Sequence, residues 1–93
     1  MEVRPKHLNG VIAGLLALWD ATGSVHAHAP KPTFRNKLGS SYKEEANKIL
    51  RWMSSYGYAQ RKGGTNSWRI TERGKRFLEE KGYHLFDYKI IRQ

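Results

Sequence analysis

A chain of 93 residues with seventeen Lys+Arg against eight Asp+Glu carries a net charge of +9. It has no cysteine, which excludes disulfides and thiolate metal sites. No apolar run approaches the ~20 residues needed to cross a bilayer as a helix.

The length suits one domain, spanning 1–93, able to bury roughly 60–65% of its unfolded surface. A sequence pI near 10.1 is a usual electrostatic footprint of a nucleic-acid binder. The charge is unevenly spread: residues 1–30 are neutral overall, residues 31–62 carry +6 and residues 63–93 carry +3. The opening stretch MEVRPKHLNG lacks the basic-then-apolar order of a secretory signal, so the expected location is the cytoplasm.

Leu8, Val11, Ile12, Leu15, Leu16 and Trp19 recur at helical spacing and predict a first helix over Pro5–Thr22. Pro5 suits a first turn and Gly23 the position just past a helix end. The opposite face, with Ala13, Gly14 and Ala17, is small and weakly charged, a surface suited to another subunit. Val25, Ala27 and Ala29 alternate with His26 and His28, which reads as a short edge strand followed by a turn at Pro30 and Pro32. The stretch TFRNKLG reads as a short helix capped by Thr33 and stopped by Gly39.

In SSYKEEANKILRWMSSYG, Ser41 and Glu44 have capping-box spacing. Tyr42, Ala46, Ile49, Leu50, Met53 and Tyr56 form the apolar face of the helix that follows, with Gly57 at its end. The next stretch, YAQRKGGTNSWRIT, predicts a β-hairpin turning at Gly63–Gly64, with Tyr58 on the partner strand and Trp68 and Ile70 on its apolar face. Thr71 is placed to cap a helix from about Glu72 to Lys81, anchored by Phe77 and Leu78. The tail YHLFDYKIIRQ alternates at Phe86, Tyr88 and Ile90 and is expected to be extended and packed, on this subunit or on another.

This order of elements resembles a winged helix-turn-helix domain. The residues carrying the resemblance are LGSS at 38–41 as the turn, ANKILRWMSSYGYAQR at 46–61 as second helix and first wing strand, and WRITERGKRFLEE at 68–80 as wing end and following helix. The resemblance covers about 8–82, with 83–93 as a C-terminal extension. It implies an α+β fold: a three-helix core, a β-hairpin wing, a following helix and a short extension. It also implies double-stranded DNA binding by a small prokaryotic, archaeal or viral transcription regulator.

In such proteins the second helix of the motif enters the major groove. The residues this selects are Ser40, Ser41, Lys43, Glu44, Asn47, Lys48 and Arg51. Asn47 suits adenine and Lys43 guanine, the serines suit phosphate, and Lys48 and Arg51 suit phosphate better than bases. Glu44 is more simply a capping residue. Arg61, Lys62, Thr65, Asn66 and Arg69 would lie on the backbone or in a minor groove, and Arg35 and Lys37 on phosphates. A homodimer through helix 1 and the tail is expected.

Two other readings stay open. RNA or ribosome association is one, and it would need Trp52, Tyr56, Tyr58 or Trp68 exposed for stacking on bases. Protein–protein contact is the other, though it explains the basic middle third poorly. No nucleophile–base pair, phosphate loop or carboxylate dyad appears, so neither an enzyme nor a cofactor is expected. His26 and His28 lack an evident third ligand, so no metal is expected either.

Overall fold

The chain packs around its first helix, α1, Pro5–Thr22, which touches every later helix. The computed structural model describes residues 2–86 and 89–92. The face that α1 buries is rotated from the predicted stripe. Val11, Leu15 and Trp19 are buried as expected, but with Leu18, Gly10, Gly14 and Ala17, while Leu8, Ile12 and Leu16 are half-buried. The small face expected to meet another subunit instead places Gly14 against Ile49 and Met53 of this chain. The helix ends where Gly23, at φ 75°, returns its N–H to the Trp19 carbonyl. After a loop come β1 (Ala29–Pro30), α2 (Lys31–Lys37), a 3-10 turn (Lys43–Glu45) and α3 (Ala46–Ser55). The chain continues through β2 (Ala59–Arg61), β3 (Ser67–Ile70), α4 (Glu72–Glu80), β4 (Tyr83–Phe86) and β5 (Lys89–Arg92). The described residues thus form an α+β arrangement of four α-helices and two small antiparallel sheets, ordered β1-β3-β2 and β4-β5. None of these helices is long and apolar enough to cross a membrane.

Helices α1 and α3 approach closely because α1 presents Gly10 and Gly14 to Ile49, Trp52 and Met53. Buried Ile49, Leu50 and Met53 fill the contact from the α3 side, with Phe34, Ile70 and Leu78 closing the core. The face of the three-stranded sheet toward the helices carries buried Ala59 and Ile70, paired across β2 and β3. Side chains alternate along a strand, so the next pair on that face is Arg61 with Trp68, and Gln60 with Arg69 lie on the other face.

Four further expectations are corrected. The strand around Val25 shrinks to Ala29–Pro30, because the Ser24 hydroxyl accepts the N–H groups of His26 and Ala27, both at 3.2 Å, and holds them in a loop. Thr33 is not a cap: α2 starts at Lys31 with Pro32 in its first turn, where proline's missing N–H costs nothing. The Ser41–Glu44 capping box does not form. Gly39, at φ 78°, reverses the chain, its carbonyl accepts from Tyr42 and Lys43, and the 3-10 turn leads into α3 five residues after Ser41. Tyr58 lies one residue ahead of β2 rather than in it.

The tail is extended as expected, but as a hairpin. Leu85 is buried, Ile90 packs on the core, and the Trp19 indole N–H donates to the Phe86 carbonyl at 2.7 Å. It therefore packs on its own subunit. Tyr88 of the predicted alternation lies outside the described residues.

Candidate nucleic-acid interface

The solvent side of α3 and the β2–β3 hairpin face each other across a concavity of about 580 Å³. Asn47, Arg51, Ser54 and Ser55 follow i, i+4, i+7 and i+8 and line it from one side of α3. Arg61 and Asn66 close it from the hairpin, and Lys31 from the start of α2. Lys31 is held there because its backbone N–H donates to the Asn66 carbonyl at 2.9 Å, continuing the β1–β3 pairing. Buried Leu50 and half-buried Trp68 form the floor.

The lining contains three cations, two amides, two hydroxyls and no acid. None of Lys31, Arg51 and Arg61 is in an ion pair among the described residues. Concave walls of one charge sign focus the field outward, which favours an anionic partner. A separate cleft of about 430 Å³ beside α4 holds Arg73 and Arg76 but also Glu80, so it mixes signs. Within it, burial pushes the Tyr58 phenol above its usual pKa, against the opposing pull of Arg73.

Of the residues selected from sequence, Asn47, Arg51, Arg61 and Asn66 meet in this groove. Others are already engaged. The Arg35 guanidinium donates to the Lys43 carbonyl at 3.3 Å and to Glu44 at 3.4 Å, binding α2 to the 3-10 turn. Lys37 pairs with Asp20 at 3.4 Å, and Lys48 with Glu45 at 3.9 Å. These pairs are exposed, each worth about 0–1 kcal/mol, so they do not hold their cations strongly. Ser40 and Ser41 line a different concavity, of about 570 Å³, with Lys37, Leu16 of α1 and Ile90 of β5.

Within the hairpin, Thr65 donates its hydroxyl to the Lys62 carbonyl at 2.8 Å and accepts from Ser67 N–H, so both serve the turn. The Lys62 side chain is exposed at the tip. Arg69 sits on the far face of the sheet, donating to the Val25 carbonyl at 3.4 Å and to the Gln60 amide oxygen.

Lys31, Ser54, Ser55 and Trp68 join the groove without having been selected from sequence. The serines were readable, since they continue the Asn47–Arg51 stripe. Lys31 was not, because it depends on β1 pairing with β3 across more than thirty-five intervening residues. Of the aromatics that could stack on bases, Tyr56 and Tyr58 are buried and Trp52 stacks on His7 at 4.2 Å. Trp68 is the one that lines the groove. Comparison of the chain with protein-family models, curated proteins and solved structures finds no match.

Proposed function

We propose that the chain binds double-stranded DNA sequence-specifically as a winged helix-turn-helix protein, acting as a small transcription regulator. Helix α3 enters the major groove and the β2–β3 hairpin, the wing, follows the backbone or a minor groove. The observation that carries this reading is the convergence of Asn47, Arg51, Arg61, Asn66 and Lys31 on one acid-free surface. Asn47 is exposed and able to present a bidentate amide to adenine, and the cations are placed for phosphates. The order α1, β1, α2, α3, β2, β3 and the sheet order β1-β3-β2 support the same reading.

A homodimer belongs to this reading, since such regulators read half-sites about one helical turn apart. Phe86 and Ile91, 52% and 43% exposed on the outward face of the β4–β5 hairpin, are apolar groups a second copy would cover.

The test is binding of a labelled duplex and of a structured RNA, each titrated across salt. The duplex is expected to bind more tightly, with log K falling against log salt as for on the order of 4–8 phosphates. Clear preference for RNA would move the function to RNA or ribosome association. No binding of either at low salt would leave protein contact as the role of this surface.

A further inference from the structure

The groove differs from a simple phosphate-binding face in having an aromatic ring in its floor. Trp68 is half-buried and lies among Lys31, Arg51, Arg61, Asn47 and Asn66. Its cross-strand partner is Arg61. It has no ring partner among the described residues, whereas Trp52, Tyr56 and Tyr58 all stack on other rings. Its indole N–H is covered and finds no acceptor. No hydrogen bond therefore pins the ring, and a tilt toward the groove breaks none.

Resting on the DNA-binding reading, we infer that this groove takes an unpaired nucleobase, stacked against Trp68. Asn47 and Asn66 address its hydrogen-bonding edge, and Lys31, Arg51 and Arg61 hold the flanking phosphates. Three features of the groove match that ligand. An aromatic face suits any base, because every base has a π-face to offer. Two amides supply donors and acceptors together, which a phosphate alone would not use. A space of about 580 Å³ is larger than a backbone phosphate needs. The chain would then prefer duplexes carrying a displaced or bulged nucleotide over perfect ones.

The test compares three labelled duplexes with the unaltered chain: fully paired, with a one-nucleotide bulge, and with the same bulge made abasic. The bulged duplex is expected to bind about tenfold more tightly than the paired one, and the abasic bulge to lose that gain. Trp68→Leu should remove the preference, giving equal affinity for the bulged and paired duplexes. Trp68→Phe, which keeps an apolar ring in the floor, should retain part of the preference. Equal affinity for all three duplexes overturns the unpaired-base site and leaves duplex binding standing. A gain that survives in the abasic bulge also overturns it, since bending and not stacking would be recognised. Binding of the bulged duplex alone supports the site and overturns the major-groove reading, and binding of none overturns both.

Discussion

The Tyr56 hydroxyl meets His7 Nδ1 at 2.8 Å, joining the start of α1 to the end of α3. The Arg4 N–H donates to the same oxygen at 3.1 Å, so the Tyr56 hydroxyl holds both the backbone before α1 and the His7 ring. The His7 ring also lies on Trp52 with 4.2 Å between centroids. Desolvation first, then Lys6 and Arg4, lowers the His7 pKa from its ordinary 6.5. The folded state therefore binds fewer protons than the unfolded one, and stability rises with pH. The contribution is complete above 6.5 and is lost as pH falls through the lowered value. Urea midpoints taken from about pH 7.5 to about pH 4.5 should fall more steeply for the native chain than for His7→Gln. Parallel curves would remove the latch as a source of pH dependence.

Gly14 tests the approach of α1 to α3. A Cβ there would run into Ile49 and lie 2.9 Å from the Met53 sulfur. Alanine improves helix propensity by about 1 kcal/mol, and overpacking a filled contact costs about 1–3 kcal/mol. Gly14→Ala is expected to destabilise by up to about 2 kcal/mol in denaturant unfolding. A stabilised Gly14→Ala would mean that the two helices separate without cost.

Thr71 and Ser41 make a matched pair of caps, one real and one only apparent. Thr71 Oγ1 accepts from Gly74 N–H at 3.1 Å and donates to the Gly57 carbonyl at 2.7 Å, tying α4 to the turn after α3. Thr71→Ala should cost about 1–2 kcal/mol, and Thr71→Ser little of that. Ser41 is exposed and caps nothing, so Ser41→Ala should lie within about 0.5 kcal/mol of the native chain. Equal losses at the two positions would restore the capping box and contradict the turn at Gly39.

These two residues also show what was legible beforehand. Thr71 could be read because its strand, its cap and its helix are consecutive, and one residue serves all three. The α1 helix was equally plain from its periodicity, but its buried face was not, since Gly14 and Ala17 lie inside while Leu8, Ile12 and Leu16 stay half-buried. Ser41 misled because the spacing of a capping box is necessary but not sufficient. Which donors need an acceptor depends on the chain reversal before it, and Gly39 supplied that acceptor from its own backbone. The groove was half legible. Asn47, Arg51 and Arg61 follow from a helix and a hairpin, but Lys31 needs a strand pairing that no local pattern announces. Arg69 lies on the sheet face away from the groove, as its alternation with Trp68 and Ile70 implied, since register decides which face of a strand a cation occupies.

The exposed apolar pair on the tail tests the dimer. Phe86 and Ile91 lie on adjacent strands with outward side chains, while Leu85 and Ile90 face the core. Replacing both with serine should lower stability only modestly, because each side chain is about half exposed in one subunit. If a second copy covers them, sedimentation should shift from dimer to monomer. A native chain that sediments as a monomer at every concentration would remove the dimer from the proposal.

The position of each arginine decides the last prediction, which separates interface cations from structural ones. Arg51 and Arg61 line the groove without an ion-pair partner among the described residues. Arg69 bonds across the sheet, and Lys37 faces Asp20. Arg51→Ala and Arg61→Ala should each weaken duplex binding and lower the salt slope by about 1, the signature of a lost phosphate contact. Arg69→Ala and Lys37→Ala should leave the salt slope intact. Arg69→Ala should instead lower stability, because it releases the Val25 carbonyl and the Gln60 amide. All four variants share the same change in net charge, so an effect of charge alone would move every slope equally. A uniform response would show that the chain attracts DNA through its overall field, and only a split between the two pairs supports docking through the α3–wing groove.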